Sequence, residues 1–217
     1  VTSTDAFVPP AGWSCAPLRD LCASLQTGPA RRAEDRGRTW ADGGAPLVLP
    51  RDLQGQRILT GEAAHVPAIP PDGARTLVKY ELAEGDILLT RTGTVGRCAL
   101  VTGEHAGWLF HPNLVRIRLP EARQVSATYL VAYLSATAAQ DWITARTAGS
   151  VIPSLSLRTL GELPVLVPPA AEQEAIGATL AALDAKIRAH TEIARVTRDY
   201  RSVLADALMT GVLPTEP

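Results

Sequence analysis

From Pro168 onward, apolar residues recur at helical spacing almost to the end of the chain. Ile176, Leu180, Leu183 and Ile187 stand 4, 3 and 4 positions apart. Ile193, Val196, Tyr200, Val203 and Ala207 continue at 3, 4, 3 and 4, with Leu204 and Leu208 beside them. The slip of one residue between the two halves is the drift of a nearly straight helix against a strict heptad. Pro168 and Pro169 with Glu172 and Glu174 form a start signal, and Gly211 with Pro214 a stop signal. The pattern predicts one helix of about 40 residues, roughly 60 Å long. Folding back as a hairpin near Ala189 to Thr191 is the alternative, but no Gly or Pro marks a break there. An apolar stripe of that length calls for a partner.

Residues 1–167 have a different texture, with short apolar bursts between glycines and prolines. LVLP (47–50), ILLT (87–90), CALV (98–101), LVRIRL (114–119) and LPVLVP (163–168) read as strands. Residues 13–28 and 126–145 carry helical periodicity, the second strongly through Tyr129, Leu130, Tyr133, Leu134 and Trp142. The expectation is an α+β unit with a mixed, mostly antiparallel sheet over 1–167, a long helix over 168–213 and a tail over 214–217.

Composition narrows the classes. Apolar residues make up 46% of 217, enough for a real core. No apolar run approaches the roughly 20 residues of a membrane span. The opening VTSTDAFVPPAGW has no secretory pattern, and Cys15, Cys22 and Cys98 form neither a CxxC nor an even set. A reduced, cytoplasmic protein without membrane association is expected. Net charge is −1. Of 21 basic residues only Lys79 and Lys186 are lysine, which leaves 19 arginines. Arginine grips phosphates and guanine edges bidentately, but GC-rich codons also produce this excess, so position must carry the argument.

The stretch EGDILLTRTGTVGRCALV (84–101) poses the sharpest choice. A P-loop would place a lysine after its last glycine and lead into a helix. Here no lysine follows Gly96, and CALV is strand-like. A KH-type loop would join two helices, whereas GTVG lies between strands. What remains is a β-hairpin whose glycines supply positive φ. Its tip carries Thr90, Arg91, Thr92, Thr94 and Arg97, either as an ordinary solvated turn or as a phosphate-contacting one. Catalytic signatures are missing: His65, His105, His111 and His190 show no metal-ligand spacing, and no GxSxG, GxGxxG or [DN]PP[FYW] occurs. Asp86 and Glu104 read as turn and surface residues. The residues alone leave open a DNA reader, a protein-interaction adaptor using the helix, and a small enzyme with an unfamiliar site.

Taken in order, these blocks resemble one half of a specificity subunit of type I DNA restriction–modification systems. GWSCAPLRDLCASLQTG is similar to the family's opening, and APLVLPRDLQGQRI to its strand-plus-DL segment. LAEGDILLTRTGTVGRCALV is similar to its glycine hairpin. AGSVIPSLSLRTLGELPVLVPPAAEQEAIGATLAALDAKI resembles its run into the connector helix and is the most specific block. Two departures stand out: family members carry two such units, and the loop TGPARRAEDRGRTWADGG keeps only Trp40 of the family's aromatic pattern. A half-size subunit that pairs with itself, a part of a longer chain, and the recognition tail of a fused adenine methyltransferase are all compatible with the first residue being Val1.

The resemblance implies a non-catalytic target-recognition domain that reads a short half-site in double-stranded DNA. It implies that the helix forms an antiparallel coiled coil and docks an adenine methyltransferase (modification) subunit, with a restriction/translocase subunit as a further partner. S-adenosylmethionine would belong to the methyltransferase, and this chain would hold no cofactor or metal. Residues 1–167 hold 16 basic and 15 acidic residues, a net +1, so DNA binding must rest on a local face. The candidate DNA-binding residues are Arg31, Arg32, Arg36, Arg38, Arg51, Arg91, Thr92, Arg97, His111, Asn113, Arg146, Thr147 and Ser150. The candidate pairing residues are Ile176, Leu180, Leu183, Ile187, Ile193, Val196, Tyr200, Leu204 and Leu208, through which a homodimer is expected.

Overall fold

The computed structural model describes residues 7–30, 38–122, 124–148 and 152–211. The chain divides into two compact units, a head (Val1–Gly177) and a second unit (Ala178–Pro217).

The head begins with β1 (Ser14–Pro17), a single helical turn α1 (Leu18–Leu21) and β2 (Ser24–Thr27). Then come β3 (Ala45–Val48), β4 (Leu53–Gln54), β5 (Arg57–Ile58), β6 (Ala68–Ile69) and α2 (Pro71–Ala74). The hairpin β7 (Ile87–Thr90) and β8 (Cys98–Leu100) is followed by β9 (Leu109–Phe110) and β10 (Leu114–Arg118). Two helices, α3 (Ala127–Ser135) and α4 (Thr137–Thr147), precede α5 (Leu157–Gly161) and β11 (Pro164–Val167). The α+β expectation holds, and the strands distribute over four small sheets.

The central sheet runs β2-β10-β7-β8, antiparallel throughout. Both of its faces are covered. Ile87, Leu89, Val115 and Ile117 pack with Leu18, Leu130, Leu134, Trp142, Leu160 and Val165 on one side. Leu88, Ala99 and Leu114 face the other way, toward Val48, Trp108 and Phe110. Burial on two faces is why ILLT is apolar at consecutive positions instead of alternating. A second sheet, β6-β3-β9, contains the one parallel pairing among the described strands, β3 with β9.

Two expected helices differ from what forms. Residues 13–28 are two strands flanking one turn of helix, because β1 pairs with β11 and β2 with β10. Long-range ladder bonds there override a local periodicity. Residues 126–145 fold as two helices, interrupted at Ala136, whose backbone is extended (φ −70°, ψ 150°). Ser126 caps α3 by accepting from the Tyr129 amide at 3.1 Å.

The long helix α6 (Ala170–Met209) is continuous and has no break near residues 189–191. Its first turns belong to the head. Gln173 is 3% exposed; its Oε1 accepts from the Ser126 amide at 2.8 Å, and its Nε2 donates to the carbonyls of Gln124 and Pro168. Ile176 packs against the head core. In the second unit, Leu180, Leu183, Ile187, Ile193, Val196, Tyr200, Val203 and Leu208 are 38–68% exposed, while Leu204 is half-buried. No helix among the described residues is long and apolar enough to cross a membrane.

Candidate functional site

The β7–β8 tip is organised by one hydroxyl. Thr90 Oγ1 donates to the Thr94 carbonyl at 2.6 Å and accepts from the Arg97 amide at 3.0 Å. Gly93 and Gly96 have φ of +76° and +94°, the positive values a tight connection needs. Gly96 is also held from outside: Gln140 Nε2, in the first turn of α4, donates to its carbonyl at 2.9 Å and to that of Leu134. The tip is zipped to the segment before α5, since the Leu155 amide donates to Arg91 O and the Gly93 amide to Pro153 O. Ser156 then caps α5 through the Thr159 amide. The SLS motif (154–156) is therefore a splint for the hairpin.

Opposite the tip lies the turn after β3. Asp52 Oδ2 accepts from the Leu49 amide at 2.7 Å and fixes the Pro50–Asp52 turn. Burial pushes the Asp52 carboxyl up, against the Leu49 hydrogen bond and the Arg51 charge. Between turn and tip runs a cleft of about 200 Å³ lined by Pro50, Arg51, Thr90, Thr92, Thr94 and Arg97. A larger cleft, about 550 Å³, adjoins it through Arg97 and is lined by Gln54, Gln56, Ser135 and Gln140 among others. Cys98 also lines this second cleft, where burial pushes its thiol up to about 11, so it is no thiolate nucleophile near neutral pH. Among the described residues no group of three or more His, Cys, Asp or Glu is placed to hold a metal ion.

Of the expected DNA-contacting residues, the structure brings Arg51, Thr92 and Arg97 around the small cleft. Arg91, His111 and Asn113 are joined to its base. The Arg91 amide donates to Asn113 O at 2.9 Å, its Nε donates to Leu155 O, and His111 Nδ1 accepts from the Asn113 amide. Arg38 is elsewhere, its carbonyl accepting from the Ala68 amide beside β6. Arg146 lies 3.7 Å over the Trp142 ring, and Thr147 is buried with its hydroxyl donating to Ile143 O. Arg31, Arg32, Arg36 and Ser150 lie outside the described residues.

Several features escaped sequence reasoning. The β4–β5 hairpin, with Gly55 and Gln56 at φ +54° and +62°, brings Gln54 and Gln56 to the larger cleft. Two positive φ values in succession mark a primed hairpin turn, and Gly-Gln after Gln54 was its only sequence sign. Asp86 is a turn residue as expected, accepting from the Ala83 amide, but it is 2% exposed and takes a two-pronged contact from Arg118 at 2.6 and 2.7 Å. Arg116 is 4% exposed and donates to the carbonyls of Lys79 and Glu81 and to Gln26 Oε1. Burial, aided by the charge of Arg118, lowers its proton affinity.

Comparison with known proteins agrees with this architecture. A family model described as type I restriction modification DNA specificity domain matches residues 10–198. A structure of the type I restriction–modification system, solved for its assembly and conformational transition, superposes with a TM-score of 0.64 at 16% identity, over 94% of this chain and 47% of that one. The HsdS subunit from Thermoanaerobacter tengcongensis gives 0.61 at 15% identity, over 96% and 52%. The type I S subunit from M. genitalium gives 0.60 at 16%, over 90% and 45%. The chain thus spans about half the length of the solved structures it matches. No curated protein matches it.

Proposed function

The chain belongs to the family of type I restriction–modification DNA specificity domains, and we propose that it reads one half-site of a bipartite target in double-stranded DNA. The observation that carries this reading is the family match across 10–198, which takes in the head and most of α6. In this reading the chain performs no chemistry. An adenine methyltransferase subunit docks on it and supplies S-adenosylmethionine, and a restriction subunit joins the same assembly. The exposed stripe from Leu180 to Leu208 pairs antiparallel with a second copy, so that two heads address two inverted half-sites across a fixed spacer. The residues nominated for DNA are those at the small cleft and its base: Arg51, Arg91, Thr92, Arg97, His111 and Asn113.

The test is enrichment of bound sequences from a pool of randomised duplexes, using the chain co-expressed with its methyltransferase subunit. The expected outcome is a motif of two inverted short blocks with unspecified bases between them, and binding that weakens with salt. A chain that enriches no sequence and shows no salt-dependent DNA binding would instead be a protein-interaction adaptor.

A further inference from the structure

Several arginines whose surroundings are described already have work. Arg116 and Arg118 are tied to carbonyls, Gln26 and Asp86; Arg91 to Leu155; Arg146 to Trp142; Arg195 to Glu192 and Asp199. The two on the walls of the small cleft are less committed. The Arg97 guanidinium makes no hydrogen bond or ion pair among the described residues. Arg51 is 72% exposed and only 3.8 Å from Asp52 Oδ1, on a carboxylate already engaged by the Leu49 amide. The lining adds Thr90, Thr92 and Thr94 and contains no carboxylate.

We infer that this cleft seats a single phosphodiester of the DNA backbone, and that Arg51 and Arg97 position the head instead of reading a base. The inference rests on the proposal that the chain binds duplex DNA. Size is the first argument. At about 200 Å³ the cleft falls below the roughly 300–1,000 Å³ that engulfs a small molecule, so its ligand is a small group protruding from something larger. Charge is the second. A neutral guanine edge satisfies one guanidinium bidentately, and a second cation on the same small concavity would face nothing. A phosphodiester carries a full negative charge and two free oxygens and takes both. Rigidity is the third. Thr90 fixes one wall and Asp52 the other through backbone hydrogen bonds, while Gln140 holds Gly96 next to Arg97. An order of that kind suits register-setting contacts, which carry no sequence information of their own. The adjoining cleft, with Gln54 and Gln56, is left for base edges.

The experiment repeats the enrichment from randomised duplexes with Arg51→Ala, Arg97→Ala and Arg97→Lys, and measures binding to the wild-type motif across a salt series. Each alanine variant is expected to select the wild-type motif while binding it roughly 10- to 100-fold more weakly. The slope of log affinity against log salt should be shallower by about 0.9 for each. Arg97→Lys should restore the slope, since a point charge serves a phosphate. A variant motif relaxed at one base position would overturn the inference by making that arginine a base reader, as would unchanged affinity and slope in both alanine variants. If the wild type itself selects nothing and binds no duplex, it is the DNA-recognition reading that fails, and the cleft assignment goes with it.

Discussion

A β-carbon on Gly28 would lie 2.1 Å from the carbonyl oxygen of Phe110 and 2.6 Å from that of His111. The Gly28 amide also donates to Leu114 O, so the backbone cannot easily retreat. Gly28→Ala should therefore cost about 2–3 kcal/mol, an overpacking penalty against backbone, read as a lower urea midpoint with unchanged slope. An unchanged midpoint would show that the segment can move aside. His105 gives a pH signature. It is 8% exposed, 3.1 Å from Thr102 Oγ1, and stands edge-on to Trp108. Burial pushes its pKa below the ordinary 6.5, with Glu104 opposing and Arg57 assisting. Between the folded value and 6.5 the unfolded chain binds more protons than the folded one, so this contribution to stability is full above 6.5 and lost as pH falls through the folded value. His105→Gln should flatten the decline of the urea midpoint below pH 6.5; the same decline in both proteins would place its origin in other groups. Residue types announced neither role. The sequence shows arginines and a histidine, and only the fold separates Arg116, locked in the interior, from Arg97, with its guanidinium free of partners among the described residues.

At the level of elements, the EQ pair at the start of α6 is a clasp. Glu172 accepts from Trp13 Nε1 at 2.9 Å, and Gln173 satisfies one amide and two carbonyls on two neighbouring segments. Gln173→Ala leaves those three groups without their partner in a buried place, a loss of about 2–4 kcal/mol. Gln173→Glu should be no better, because it replaces the donor to Gln124 and Pro168 with an acceptor. A chemical melt of both variants decides this, and a small loss in either would mean that water takes the amide's place. The strands at 87–90, 98–100, 114–118 and 164–167 were legible because their apolar runs are short and bounded by turn residues. Residues 13–28 were not. Trp13, Leu18, Leu21 and Leu25 mimic a helical stripe, whereas the partners that make strands of 14–17 and 24–27 lie about 90 to 150 positions away. The interruption at Ala136 has no Gly or Pro to announce it. It is visible only through Gln140, which reaches from α4 to Leu134 and to the hairpin tip.

For the whole molecule, the exposed stripe beyond Gly177 is the feature on which the proposed pairing rests. Leu183→Glu with Leu204→Glu should convert a dimer to a monomer in light scattering while leaving thermal unfolding of the head unaltered. A mass that stays dimeric would remove the paired helix from the model of assembly, and a wild-type monomer would put the partner helix on another chain. The long helix was readable from its period alone, because nothing non-local is needed to make it. The small cleft was half readable. The sequence displays the hairpin tip with its threonines and arginines, but not that Arg51, some forty positions earlier, forms the facing wall. One pairing has a further consequence. β1 and β11 are hydrogen-bonded neighbours, with Ser14 opposite Val167 and Pro17 opposite Pro164, so the chain enters and leaves the head at the same spot. A fold whose doorway is also its exit can be lifted out and set into another polypeptide without prying that host's ends apart. If the head reads DNA as proposed, genetic exchange at its two flanks would trade one target preference for another in a single step.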